Sequence, residues 1–338
     1  MRKGQNPAKL GVLSYKPQLL GVAILTHIPS QEGYFAESWQ IFQYQLASLR
    51  AHTPEPFDLL VFDNGSCREV QEQLRALQGK GWIQWLLLSY ENMGKTGALN
   101  AIAGAMPNEW ICYADSDVLF RRGWLEASKA VAMSFPNAGI VTAQPCFFDI
   151  LRGKGEAHII LEGHPGFEFG ETGPVEETAE EYSRGIGATV EDSAKYKSMQ
   201  LRTITNTNRA VRAVLGASHM QFLVQSDILR KVLPLPSARG LDPEEDREMD
   251  LRIDRQGYLH LSTVDPFVFH MGNTIDERLN EELAQLSIPA HFGTGKWDRP
   301  APDHGILYRI LSSLAQHPRL RWRLAWLYRT LYEVFSES

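Results

Sequence analysis

One feature narrows the fold more than any other: a repeated alternation between residues 19 and 134. Short apolar runs (Leu19 to Thr26, Phe57 to Phe62, Ile83 to Leu88 and Trp110 to Ala114) are separated by segments with helical spacing. Glu37 to Ala51 places Trp39, Phe42, Leu46 and Leu49 on one side, and Val70 to Leu77, Thr96 to Ala105 and Trp124 to Ser134 also read as helices. This order predicts an α/β layer with a largely parallel sheet. Right-handed crossovers then bring every strand's C-terminal end to one edge, where open α/β sheets bind ligands. Three polar clusters close these runs: Thr26-His27, Asp63 to Ser66 and Asp115 to Asp117. All three are predicted at one crevice.

The character changes between Ile150 and Arg212. From Glu162 to Asp192 there are nine acidic residues against one arginine, Arg184. That composition reads as a mobile insertion outside the core, either a solvated loop or a lid over an acceptor site. Order returns at Gly216 to Val224, followed by a helix over Ser226 to Val232, a charged helix over Asp242 to Gln256 and a late strand within His260 to His270. The chain therefore divides into a leader (1–18), an α/β domain (19–275, with 150–212 inserted) and a helical extension (276–338). The extension is amphipathic and basic, with Arg309, Arg321 and Arg329 among Trp322, Trp326 and Tyr332. Such a face suits packing on its own domain, a twin subunit in a homodimer, or peripheral contact with an anionic membrane.

Composition excludes several classes. A formal charge of -6 lacks the basic excess of a dedicated nucleic-acid surface. No apolar run reaches the roughly 18 residues of a membrane span, and Lys16, Pro17 and Gln18 interrupt the first segment, so it does not read as a signal peptide. Three cysteines (Cys67, Cys112 and Cys146) make neither a disulfide framework nor zinc spacing. They read as reduced thiols of a cytoplasmic protein.

The chemistry centres on Asp115-Ser116-Asp117. Two carboxylates at i and i+2 just past a strand reach one hard cation, Mg²⁺ or Mn²⁺, and the phosphates it holds. Asp63 stands at a strand end too, where it can accept from a nucleobase N–H or a ribose hydroxyl, or make an Asx turn with Gly65. Asn92 to Asn100 leads from a strand into a helix, so its backbone amides and Lys95 suit an anion. Gly94-Lys95-Thr96 is not a P-loop, which needs glycine where Ser89 stands, and no G-x-G-x-x-G follows the first strand. Pro243 to Asp250 opens a helix with acidic residues that suit its dipole. His270 ends the late strand, where a neutral imidazole can bind metal.

In this order the motifs resemble the family 2 glycosyltransferases. The strand ending at Thr26-His27 is followed by Asp63-Asn64-Gly65-Ser66, Asn92-x-Gly94 with Asn100, Asp115-x-Asp117, and Glu245-Asp246 with Arg252, Gly257 and His270. The resemblance covers Leu19 to Gly272 apart from the insertion. It implies a GT-A type, Rossmann-like sheet flanked by helices, and metal-dependent, inverting transfer of a hexosyl group from a UDP- or GDP-sugar to an acceptor hydroxyl. The acceptor would be a glycan, a lipid-linked saccharide or a small molecule. Residue by residue, it implies that Asp63 and Thr26 line the base pocket and that Lys95 lies near the nucleotide. Asp115 would face the ribose or the metal, Asp117 and His270 would serve the Mn²⁺ or Mg²⁺, Asp246 would be the general base, and Glu245 its neighbour. The enzyme would be cytoplasmic, or peripheral at the inner face of the membrane. Two departures stand out. Ile28-Pro29 replaces an asparagine common after the first strand, and the Gln-x-x-Arg-Trp segment of processive members is absent, Trp322 following Leu320-Arg321. The competing readings are a sugar nucleotidyltransferase, which would prefer a Gly-rich basic loop where ILTHIPSQEG stands, and a non-catalytic nucleotide-sugar or glycan-binding protein.

Overall fold

The computed structural model describes residues 15–147, 161, 163–236 and 245–286, the side chains of Glu245, Asp246 and Gln285 excepted. From Pro17 onward these residues belong to one compact unit. The sequence segments 1–14, 148–160, 237–244 and 287–338, with the basic arginines of the extension, lie outside the described residues.

The first half runs β1 (Leu20–Thr26), α1 (Ser38–His52), β2 (Phe57–Asn64), α2 (Arg68–Gly79), β3 (Trp85–Ser89), α3 (Gly94–Ala105), β4 (Trp110–Asp115), β5 (Val118–Phe120), α4 (Trp124–Ser134) and β6 (Ala138–Thr142). The second half runs β7 (Phe167–Thr172), α5 (Glu176–Gly185), α6 (Val190–Ser198), β8 (Leu201–Asn206), β9 (Val211–Leu215), β10 (Gln221–Gln225), α7 (Ser226–Val232), α8 (Glu245–Arg255), β11 (Leu259–Ser262), β12 (Val268–His270) and α9 (Glu277–Gln285). Ten strands form one sheet in the order β3-β2-β1-β4-β10-β6-β11-β9-β8-β7. The α/β class is as expected. The sheet, however, is mixed: β3, β2, β1 and β4 are parallel, while β10 runs antiparallel to β4 and β6.

Period two explains the layers. Val22, Ile24, Leu59 and Val61 pack with Phe42, Leu46, Val70, Leu74 and Trp124. The alternate residues Ala23, Leu60 and Phe62 pack with Ala98, Leu99, Ile102, Ile228, Met249 and Ile253. Strands buried on both faces read as continuous apolar runs, which is why β1 and β2 stand out in the sequence.

Two expectations are corrected. The stretch read as a mobile insertion carries, from residue 163, β7, α5, α6, β8 and β9, with three strands in the main sheet. Ile204 and Ala213 are fully buried against Val131, Val141 and Leu261. Its acidic residues are met partly within the stretch, where Lys197 of α6 binds Glu176 (3.1 Å) and Glu180 (2.5 Å), and partly by cations from elsewhere: buried Glu181 of α5 binds Arg121 (2.6 Å) and Arg278. The late strand is also two strands. Pro266, which lacks an amide proton, falls in the break. β11 stays in the main sheet, and β12 leaves it to pair with β5. That ribbon is anchored by Leu119, Phe269, Ile41 of α1, and Leu279 and Leu283 of α9. A fully buried leucine contributes about 1.5–3 kcal/mol, enough to fix a two-stranded ribbon that would be marginal alone.

All three cysteines are free, and burial pushes the Cys112 thiol up to about 12, which makes it inert. Among the described residues no helix is long and apolar enough to cross a membrane.

Candidate active site

The site starts where β4 ends. Asp115 donates its amide to the Met220 carbonyl (2.8 Å), so the entry to β10 lies across the strand end. Tyr113, two residues back on the same strand face, donates its hydroxyl to Asp115 Oδ1 (2.5 Å). Lys95, in the first turn of α3, donates to Asp115 Oδ2 (3.0 Å) and to the His219 carbonyl (2.9 Å). Burial raises the Asp115 carboxyl above the ordinary range; Lys95 pulls it down, and the like charge of Asp117 pushes it up.

The loop that starts α3 is pinned to β2. Asn64 donates to Asn92 Oδ1 (2.9 Å) and accepts from the Met93 amide (2.9 Å). Gly65 turns the chain with a φ of 79°, and a Cβ there would press on the Glu91–Asn92 backbone at 2.8 Å.

Asp117 and His270 meet through the ribbon. Val118 pairs with His270, and Met271 donates its amide to the Asp117 carbonyl (2.7 Å). His270 Nε2 then lies 3.0 Å from Asp117 Oδ2. His270 Nδ1 is 2.5 Å from the Gly185 carbonyl. A carbonyl only accepts, so Nδ1 carries the proton in this contact and Nε2 is the nitrogen turned to Asp117. Burial alone would lower the imidazole pKa, but Asp117's charge and hydrogen bond outweigh it and raise the value to about 9. Gly185 closes α5 directly on His270: a Cβ there would overlap the His270 carbonyl and lie 2.8 Å from its Cβ.

On the other side of β4, Thr26 and Asp63 are register neighbours on β1 and β2. Asp63 is fully buried; its Oδ2 accepts from Gln71 (2.8 Å) and the Ser66 amide (3.3 Å). Asp63 Oδ1, Thr26 Oγ1 and Asp117 Oδ1 are buried oxygens with no hydrogen-bond partner. Such groups are costly unless something satisfies them.

The sequence model described as Glycosyl transferase family 2 matches residues 34–177, from the turn before α1 into α5. Residues 34–177 thus carry the sequence pattern of a family 2 glycosyltransferase domain. Among solved structures, the chain is similar to the mannosyltransferase PcManGT from Pyrobaculum calidifontis in complex with GDP-Man and Mn²⁺, at 15% identity and TM-score 0.42, covering 75% of this chain and 56% of that one. It is also similar to GalNAc-T7 with UDP, GalNAc and Mn²⁺ (13% identity, TM-score 0.47, 74% of this chain and 43% of that one). A third is S. aureus TarS 1-349 (14% identity, TM-score 0.30, 38% of this chain and 36% of that one). The chain thus spans between 36% and 56% of the length of these proteins. No curated protein sequence matches it.

Of the residues singled out from sequence, Lys95, Asp115, Asp117 and His270 are brought together around the end of β4, and Thr26 and Asp63 sit side by side on the next strands. Glu245 and Asp246 open α8, their side chains lying outside the described residues. Among the described residues no group of three His, Cys, Asp or Glu side chains is arranged to hold a metal ion. Sequence reasoning missed Tyr113, Gly185, His219 and Asp250. Tyr113 had a signal in its period-two spacing from Asp115, and Asp250 in its four-residue spacing from Asp246.

Proposed function

We propose that the domain transfers a hexosyl group from a UDP- or GDP-sugar to an acceptor hydroxyl with inversion. The observation that carries this is the Asp117–His270 pair, with its unpartnered buried oxygen, beside the Lys95–Asp115 pair at one strand end. An oxygen and an imidazole nitrogen suit Mn²⁺. Asp117 and His270 would hold the ion with Asp115 close by, and oxygens of the donor diphosphate would complete a site that protein side chains alone leave short of ligands. The ion supplies neutralisation of leaving-group charge.

The chain's own residues do the rest. Lys95 adds a fixed positive charge at the diphosphate end. Asp63 Oδ1 and Thr26 Oγ1 are the partnerless groups that a nucleobase would satisfy. Asp246 takes the proton of the acceptor hydroxyl as that oxygen attacks the anomeric carbon, and the bond from carbon to the phosphate oxygen breaks on the opposite face. One displacement of this kind inverts the centre. Support for Asp246 comes from Asp250, which lies one helical turn later, on the same face of α8, and contacts His219 beside Lys95. Glu245 neighbours the base. The acceptor is a glycan, a lipid-linked saccharide or a small molecule.

The test is release of nucleoside diphosphate from UDP-glucose, UDP-GlcNAc and GDP-mannose, with Mn²⁺ and with EDTA. Metal-dependent turnover with at least one donor is expected. Binding without turnover would make this a nucleotide-sugar-binding protein instead.

A further inference from the structure

The acceptor side and the donor side of the site meet at one residue, His219. Its carbonyl accepts from Lys95 Nζ (2.9 Å), the ammonium that also binds Asp115 Oδ2 (3.0 Å). Its imidazole Nε2 lies 2.7 Å from Asp250 Oδ1 on α8. A second contact runs through rings: His219 sits edge-on to Phe222, and Phe222 stacks on Tyr113, whose hydroxyl binds Asp115.

Asp250 has a further neighbour. His260 Nδ1 on β11 is 3.4 Å away, and Asp254, one turn along α8, lies 3.3 Å from His260 Nε2. Asp250 thus meets two imidazoles, His219 from the loop before β10 and His260 from β11, their side chains only 10% and 11% exposed. The His219 contact is the hydrogen bond, while His260 Nε2 and Asp254 Oδ1 are near neighbours without one. Apolar contacts of Met249 and Ile253 hold α8 on the core, but the hydrophobic effect is non-directional and tolerates sliding. Hydrogen bonds in a partly dry setting have exacting geometry. Such bonds fix the axial position of α8: Arg252 donates to the Val232 (3.0 Å) and Pro234 (2.7 Å) carbonyls, and of these contacts the His219–Asp250 bond is the one that ties the helix to the Lys95–Asp115 side of the site.

We infer that His219 and Asp250 are positioning residues that hold the base-bearing helix in register with the donor half of the site. This rests on the proposed function, in which Asp246 opens the same helix face one turn earlier. A misplacement of about 1 Å in a reacting group costs on the order of 10²-fold in rate. Losing the His219–Asp250 contact therefore lowers turnover while leaving the nucleotide pocket intact.

The test compares Asp250→Ala, Asp250→Asn and His219→Ala in the full chain. Three quantities are measured: affinity for UDP and GDP with Mn²⁺, release of nucleoside diphosphate from the donor sugars, and amide hydrogen exchange. Asp250→Ala and His219→Ala are expected to keep nucleotide affinity within about twofold and donor KM unchanged. Their kcat falls by about 10-fold to 100-fold, and amides of residues 247–255 exchange faster while β1 to β4 do not. Asp250→Asn, whose amide oxygen still accepts from His219 Nε2–H, recovers most of the rate. Wild-type kcat in Asp250→Ala overturns the inference, as does equal loss of nucleotide affinity and turnover. If the wild type neither binds UDP or GDP nor releases them from donors, the transferase reading fails. Exchange across α8 then still decides whether Asp250 holds the helix, and unchanged protection overturns it.

Discussion

His270 Nε2 stands 3.0 Å from Asp117 Oδ2 because a two-stranded ribbon outside the main sheet carries one residue to the other. The carboxylate lies in the turn after β4, and the imidazole ends β12. Both positions are held by the ribbon, which is packed on α1 and α9, and the far ring nitrogen is taken up by Gly185. The pair is therefore pre-formed before any ligand arrives, which lowers the ordering cost of binding.

In metal-free protein near pH 7, His270 holds a proton, its pKa being raised to about 9 despite burial because Asp117 is beside it. A metal taking Nε2 must expel that proton. Binding of Mn²⁺ with UDP near pH 7 is expected to release close to one proton, and the release should fade above about pH 9. Calorimetry in buffers of different ionisation heat measures it. His270→Gln should release none, and an unchanged count in that variant would remove His270 from the metal site.

The same shift gives a stability prediction with a definite sign. The folded value of about 9 lies above the ordinary 6.5, so the metal-free folded protein binds the proton more tightly than the unfolded chain. The stabilisation is complete below about pH 6.5 and is lost as the pH rises toward about 9. Melting of EDTA-treated protein should show Tm falling across that window. His270→Gln should flatten the profile; a variant that still follows the wild-type curve would assign the loss to another group.

Gly185→Ala tests the support of the imidazole. Its Cβ would overlap the His270 carbonyl, and the backbone there is fixed by the β5–β12 pairing, so α5 must move instead. The substitution is expected to cost roughly 1–3 kcal/mol, the usual range for overpacking, and to weaken Mn²⁺-dependent nucleotide binding by about tenfold or more. Metal titration followed by nucleotide fluorescence checks it. Full affinity with lowered Tm would mean that α5 matters only for folding.

Asp63→Ala separates base recognition from the metal. Its Oδ2 holds Gln71 and the Ser66 amide, while Oδ1 has no partner. Loss of a charged acceptor to a base N–H is worth about 1.5–3 kcal/mol, so UDP or GDP affinity should fall by roughly 10-fold to 100-fold. Inorganic pyrophosphate, which has no base, should bind as before in the presence of Mn²⁺. Equal losses for both ligands would place Asp63 in scaffolding alone.

The parallel half of the sheet was legible because strands buried on both faces leave unbroken apolar runs, and because polar residues cluster where those runs stop. The misreading of 163–212 has a physical origin. Its acidic composition outweighed the β-branched residues of β8 (LRTITN) and the apolar end of β9 (VRAVL), and the cations that satisfy buried Glu181, Arg121 and Arg278, come from other parts of the chain. The split of β11 from β12 was written in Pro266 but is local, and where β12 goes afterwards is not. Gly185 and His270 are 85 residues apart and His219 and Asp250 are 31 apart. No period or spacing links such pairs, so they became visible only with the fold.

Asp246→Asn addresses the chemical step itself. Asparagine keeps the size of the side chain and its place in the first turn of α8, but has no basic carboxylate to take the acceptor's proton. General-base loss typically costs 10²–10⁴-fold in rate. The proposed nucleotide and metal contacts lie at the ends of β1, β2, β4 and β12, in the turn after β4 and at the start of α3, and none is on α8, so Mn²⁺-dependent UDP or GDP affinity should stay within about twofold of wild type. The prediction is therefore a split: turnover of the donor sugar falls by at least about 100-fold at unchanged nucleotide affinity. Glu245→Gln serves as the control for the neighbouring charge, and its loss should be smaller. If Asp246→Asn turns over at the wild-type rate while Glu245→Gln does not, the base is Glu245. If both retain full rate, the proton goes elsewhere and α8 is not the acceptor side of the site.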